Sequence, residues 1–166
     1  VLMTWPGELM HVMFPRCYHL TDLGGNTLLT SSAFWMLTDE KTRKFVFPER
    51  EGIVIPPEIT GDEPPLPTAP GSLPATETVT FSVPYSYIDL NGHMNNTKYL
   101  DMAEDIMPAS LRSRSLRRLS IEYSSEIQPD ETLVLETGTD QNAFFMSSER
   151  GGRRLFRLRM DYQDRE

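Results

Sequence analysis

The sequence predicts an α+β fold: an antiparallel sheet curled round one long helix. Three observations predict it. Only one stretch carries a clear helical period, with Tyr99, Met102, Ala103 and Ile106 at i, i+3, i+4 and i+7. Most other apolar residues sit in short runs rich in strand formers, several of them alternating. From residue 77 onward the order is strand, helix, then four strands, and a sheet with one helix on it is a two-layer solution for burying both apolar faces.

The elements follow in chain order. Residues 1–55 read as strands alone. LMHVMFPRCYHLTD leads into a turn at Gly24-Gly25-Asn26, and TLLTSSAFWMLTD follows, which predicts a hairpin. DEKTRK, residues 39–44, is a charged turn. A lone hairpin is marginal in water, so this segment is part of a larger domain. Residues 56–76 form a proline-rich linker; seven of the thirteen prolines fall in 56–74. Proline fixes φ and removes a backbone donor, which rules out a central strand or helix interior and favours an extended connector. The third segment, 77–166, opens with TVTFSVPYSY (78–87), a strand in which Pro84 marks an edge or a bulge. The helix starts at Asn96 with Asn95 or Asn96 as N-cap, and Pro108 ends or kinks it. LRRLSIEYSSEI alternates through Leu119, Ile121 and Tyr123; ETLVLETGTD, NAFFMSSE and RRLFRLRMDY follow as strands. DLGGNTLLTSSAFWML and ERGGRRLFRLRMDY both set a double-glycine turn before a long strand, a faint internal repeat.

Composition narrows the function. The chain has 166 residues, 39% of them hydrophobic, enough for a buried core. Its formal charge of −8 argues against a general nucleic-acid binder and against attraction to an anionic membrane. No apolar run reaches the ~20 residues of a membrane span, and no secretory signal is visible. The single cysteine, Cys17, cannot close an internal disulfide, which suits a reducing cytoplasm. The first residue is Val1, which raises the expectation that the chain begins inside a longer gene product.

Chemistry concentrates in DLNGHMNN, residues 89–96, where Asp89, Asn91, His93 and Asn95 alternate with Leu90, Gly92 and Met94. One reading is a plain polar turn, because Asp, Asn and Gly tolerate left-handed backbone and bond their own main chain. A calcium loop fails: glycine is fourth rather than sixth, and Leu100 stands where the twelfth-position glutamate belongs. Zinc fails too, with only His11, His19 and His93 and no CxxC or HExxH. Neither a GxSxG elbow nor a P-loop is present. No metal and no cofactor is expected. The catalytic reading has a physical basis, because the run lies at the N-terminus of the one obvious buried helix. Free amides and the helix dipole there stabilise a negative oxygen, and a carboxylate, an amide and an imidazole beside it can position water and move a proton.

The run Y-x-x-x-D-x-N-x-H-x-N-N-x-x-Y, Tyr85 through Tyr99, strongly resembles the acyl-acyl-carrier-protein thioesterase family. IEYSSEI resembles that family's strand with an acidic residue after a tyrosine, which maps to Glu126. TWPG and FWMLTDEKTRK resemble the later strands of its first domain. The resemblance implies two hotdog domains, each a sheet wrapped round a central helix, here one complete hotdog plus the later strands of a first. It implies hydrolysis of a fatty acyl thioester on acyl carrier protein, with Asp89, Asn91, His93 and Glu126 as the functional set. Some members have a cysteine just after the acidic residue; Ile127 stands there, which excludes a cysteine nucleophile at that position.

The mechanism expected is direct attack by water. Glu126 or Asp89 takes the proton, Asn91 and His93 orient the water and polarise the thioester, and amides near Asn95 and Asn96 help. Asp89 has a rival reading as a cap that holds the loop, and Cys17 reads as a small buried hydrophobe. Arg112, Arg114, Arg117 and Arg118 form a basic cluster in an acidic protein, as do Arg153, Arg154, Arg157 and Arg159. The first cluster either docks an acidic carrier protein or is ordinary solvated charge. Trp5, Phe34, Trp35 and the methionines line an acyl tunnel or fill a core. Within enzymes the alternative is an acyl-coenzyme A thioesterase; outside them it is a non-catalytic acyl-binding hotdog module. The front strand and helix of a first hotdog are missing, which would leave apolar strand faces open. Upstream residues or a second copy, hence a homodimer, would have to cover them.

Overall fold

The computed structural model describes residues 1–42, 44–54 and 64–164. Two compact units divide the chain, Val1–Pro67 and Thr68–Glu166. Residues 56–63 of the proline-rich stretch lie outside the described residues; 64–76 carry neither helix nor strand.

The first unit is a three-stranded antiparallel sheet, β1 (Leu2–Pro6), β2 (Met13–Thr21) and β3 (Thr27–Met36), in the order β1-β2-β3. The β2–β3 hairpin turns where Gly24-Gly25-Asn26 predicts it. Asp22 Oδ1 accepts from the amides of Gly24 and Asn26, both at 2.8 Å, and Gly25 takes φ +85°, a region open to glycine at little cost. The charged turn after β3 closes through the Thr38–Phe45 bridge. Trp5 and Cys17 are register partners and both are buried. Leu28, Leu29, Trp35, Phe45 and Phe47 of this unit are exposed, so Trp35 is not core.

The second unit holds β4 (Glu77–Ser82), α1 (Lys98–Ile106), the single turn α2 (Ala109–Arg112), β5 (Ser115–Tyr123), β6 (Thr132–Thr139), β7 (Ala143–Arg150) and β8 (Arg153–Gln163). The five strands form one antiparallel sheet in the order β4-β6-β7-β8-β5. β4 ends five residues short of the expected strand: Val83 makes a last amide bond to Glu131 O, Pro84 has no N–H to continue, and Tyr85–Tyr87 turn as a 3-10 helix. Tyr99, Met102 and Ala103 of α1 are buried in one cluster with Leu133, Leu135, Phe144, Met146, Phe156, Leu158 and Met160 of the sheet. The helix therefore lies on the sheet by the face its period predicts, with Asp101, Glu104 and Asp105 exposed. The helix stops before Pro108, and the same proline then opens α2 as its N-cap. Met94, Met102, Met107, Met146 and Met160 are part of the core cluster.

Residues 71–76 run over the opposite face of the sheet. Thr76 N–H donates to Thr137 O at 2.7 Å, Arg159 Nη1 reaches Gly71 O at 3.4 Å, and a Cβ on Gly138 would come within 2.6 Å of Pro74 O. Glycine is required at 138 because the strap passes too close for any side chain.

Tyr162 lies in the core with its hydroxyl on the sulfur atoms of Met107 and Met160. Burial pushes its phenol up to about 12 and raises that of Tyr99 further. Below pH ~10 both phenols keep their protons in either state. Above that the unfolded chain ionises first, so it holds fewer protons and stability falls as pH rises. Urea unfolding is expected to show stability independent of these groups below pH 10 and a decline above it. Tyr162→Phe should flatten that decline.

Candidate active site

The loop after β4 is built by its own polar atoms. Asp89 N–H donates to His93 O at 3.1 Å and Gly92 N–H to Asp89 O at 3.0 Å. Asp89 Oδ1 accepts from Asn91 N–H at 2.8 Å, and Oδ2 lies 3.5 Å from Asn91 Nδ2 and 3.4 Å from Asn95 Nδ2. Gly92 takes φ +82°, and the Ile88–Met94 bridge closes the neck. The alternation of Asp89, Asn91, His93 and Asn95 thus serves a tight turn first. Asp89 is its brace.

The second wall comes from the end of β5. The amides of Ser124 and Ser125 both donate to Leu155 O, at 2.8 and 3.0 Å, which ends the pairing of β5 with β8 and swings the chain toward the loop. Met94 N–H then donates to Ile127 O at 2.8 Å. Met94 and Ile127 are both fully buried. Their neighbours, His93 and Glu126, line one cavity of about 190 Å³ together with Asn96, Tyr99, Tyr123, Ser124 and Ser125. Asp89 and Asn91 do not line it. Sequence reasoning missed Tyr123, Ser124 and Ser125. The end of strand alternation at Ser124-Ser125 was the available signal, because wall residues follow where a strand leaves its sheet.

The amides at the start of α1 divide cleanly. Asn95 N–H donates to Tyr87 O and Lys98 N–H to Asn95 O, and Thr97 N–H donates to Asn95 Oδ1 at 2.9 Å. The helix nevertheless begins at Lys98 with Thr97 as its N-cap and no side-chain cap bond, so neither Asn95 nor Asn96 is the N-cap the sequence predicts; Asn95 braces the turn that leads into the helix. Among the described residues the Asn96 N–H has no such partner, and Asn96 borders the cavity. Of the two amides expected to serve an oxyanion, Asn95's is spent on the fold and Asn96's is open. His93 Nδ1 lies 3.4 Å from Met94 O; a bond there needs the proton on Nδ1 and leaves Nε2 as an acceptor. Tyr123 Oη donates to Asn96 O at 3.0 Å. Burial raises its phenol, so the group is a neutral donor near neutral pH. No group of three or more potential metal ligands occurs among the described residues.

The arginines of the first cluster differ in what they do. Arg112 Nη2 caps the end of α1 through Asp105 O (2.8 Å) and Met107 O (2.9 Å). Arg114 binds Gln141 O, Asn142 Oδ1 and Asp164 Oδ1. Arg118 reaches Thr68 Oγ1 only at 3.4 Å. Arg117 is exposed at the bulge of β5, between the paired residues Leu116 and Arg118. In the second cluster Arg157 forms a two-nitrogen pair with Glu122, and Arg159 pairs with Asp161.

A sheet in this strand order wrapped on one helix, with a polar cavity where that helix begins, is a hotdog domain of the thioesterase type. A model of the acyl-ACP thioesterase C-terminal domain matches residues 72–162, and the chain belongs to that family, a family of thioesterases. No curated protein matches the chain in sequence. Among solved structures it resembles an acyl-ACP thioesterase from Bacteroides thetaiotaomicron VPI-5482, at TM-score 0.76 and 22% identity over 98% of this chain and 68% of that one. It also resembles the 12:0-ACP thioesterase from Umbellularia californica, at TM-score 0.76 and 19% identity over 99% of this chain and 67% of that one. These likenesses establish the fold across both units, and the chain spans about two thirds of each relative's length.

Truncating Ile127 to alanine removes a fully buried side chain behind Glu126. It should cost ~2–5 kcal/mol in chemical unfolding and lower thioester turnover at temperatures where the variant stays folded.

Proposed function

We propose that the chain hydrolyses fatty acyl-acyl carrier protein to free fatty acid and carrier protein, by attack of water. The observation that carries the reading is the meeting of His93, Asn96 and Glu126 in one cavity at the start of α1. A hydrolytic site needs a base, a hydrogen-bond partner for the water and a donor for the developing oxyanion. Membership of the acyl-ACP thioesterase family supports an acyl thioester of the carrier protein as the substrate.

Glu126 accepts a proton from water as the water oxygen attacks the thioester carbon, and His93 Nε2 holds that water. Negative charge gathers on the carbonyl oxygen against the Asn96 N–H. The C–S bond then breaks, and the thiolate of the pantetheine arm takes the proton from the Glu126 carboxyl. Water and thioester become acid and thiol with no covalent enzyme adduct. Asp89 acts by holding the loop, through its bonds to Asn91 and Asn95, and Asn91 acts with it. Arg117 and Arg118 are the members of the first basic cluster least engaged within the chain, so they are the ones to meet an acidic carrier.

Glu126→Gln keeps the shape and removes the basicity; kcat on an acyl thioester should fall ~10²–10⁴-fold. Asp89→Asn keeps the Oδ1 acceptor for Asn91 and should lose less than about tenfold. The reverse ranking places the base at Asp89. Thiol release compared on carrier-linked and coenzyme A-linked acyl groups distinguishes the two thioesterase readings. Arg117→Glu with Arg118→Glu should raise KM for the carrier-linked substrate alone. Binding of acyl chains without any thiol release would make the chain a non-catalytic module.

A further inference from the structure

We propose that Tyr123 is a positioning residue: its hydroxyl sets the peptide at Asn96 so that the open N–H of Asn96 faces the cavity at a fixed distance from Glu126. The inference rests on the thioesterase reading and adds to it a residue outside the DLNGHMNN run.

The hydrogen bonds around Asn96 carry the argument. The peptide between Asn96 and Thr97 is held at both ends: its oxygen accepts from Tyr123 Oη at 3.0 Å and its N–H donates to Asn95 Oδ1 at 2.9 Å. The flanking carbonyls, those of Asn95 and Thr97, take the amides of Lys98 (2.9 Å) and Leu100 (3.1 Å). The Asn96 carbonyl is thus turned out of the helix toward β5. The adjacent peptide, which carries the open Asn96 N–H, is held at its own carbonyl by the Lys98 amide, and the clamp fixes the plane that follows it. A peptide plane is rigid, so fixing one plane restricts the next to two torsions.

The Tyr123 ring is itself held. It meets Tyr99 edge to face, with centroids 5.0 Å apart at 81°, and Tyr99 meets Phe156 of β8 in the same way, at 5.0 Å and 78°. The hydroxyl is therefore located from the neighbouring strand β8 through two ring contacts. Tyr123 is also the last residue of β5, three positions before Glu126. One side chain spans the strand that leads to the carboxylate and the turn that presents the amide. Misplacement of either by a fraction of an ångström is expected to reach the rate. The phenolic proton is engaged by Asn96 O, so Tyr123 is not the acid for the leaving thiol.

Tyr123→Phe keeps the ring contacts and removes the hydroxyl. On an acyl-pantetheine thioester kcat is expected to fall about tenfold or more, with KM within about twofold and the pH profile keeping its inflections. A raised KM with unchanged kcat would mean the hydroxyl binds substrate and would overturn the proposal, as would two unchanged constants. A second measurement stands apart from activity. Amide hydrogen exchange at Thr97 should quicken about tenfold or more in Tyr123→Phe while that of Met102 and Ala103 holds; unchanged exchange at Thr97 overturns the proposal. If the wild-type chain releases no thiol, the thioesterase reading fails, and the exchange measurement still decides whether Tyr123 sets the Asn96 peptide.

Discussion

The hydrogen bond from Met94 N–H to Ile127 O is the contact on which the site depends. It joins two loops that are distant in sequence, one leading into α1 and one leaving β5. The side chains of both residues are buried, so the bond sits where water competes least and breaking it would strand two polar groups. Side chains next to buried ones along an extended chain face the other way. His93 and Glu126 consequently share a cavity because Met94 and Ile127 share a core. The chemistry is displayed by packing.

Most of the polar residues near that cavity build it and do not border it. Asp89 and Asn95 spend their side-chain oxygens on backbone amides, and Asn91 spends its own amide on Asp89. A five-residue turn with a left-handed glycine at 92 has few backbone partners of its own, and short polar side chains supply them. The same accounting singles out Asn96. Among the described residues the Asn96 N–H has no backbone acceptor, while those of Asn95 and Lys98 do and that of Thr97 donates to Asn95 Oδ1. A donor left open on a residue that borders the cavity is suited to a charge that develops during reaction.

Charge clusters show the same division. Eight arginines fall in two short stretches of an acidic chain, and composition alone makes both look like docking surfaces. Arg112 closes the C-terminal carbonyls of α1, Arg114 ties the β7 hairpin turn to Asp164, and Arg157 is matched across the sheet by Glu122. A guanidinium has five donors in a planar fork, so it is drawn to carbonyl clusters that a folded chain always leaves at helix ends and turns. What remains for an outside partner is a shorter list, centred on the bulged edge of β5.

The sequence by itself determined the elements. Period 3.6 marked α1, strand formers marked most of the strands, Gly24-Gly25 and Gly151-Gly152 marked turns, and Pro108 marked the helix end, because these signals depend on neighbours along the chain. The motif also marked the loop and the acidic residue after Tyr123. Tertiary structure alone decided which carboxylate borders the cavity, which amide is open, and that Tyr123 reaches across to Asn96. It also decided that residues 71–76, which include Pro74, lie against the sheet at Gly138. Each of these is set by contacts between segments far apart in sequence, where burial and hydrogen-bond competition choose among groups that look equivalent in one dimension.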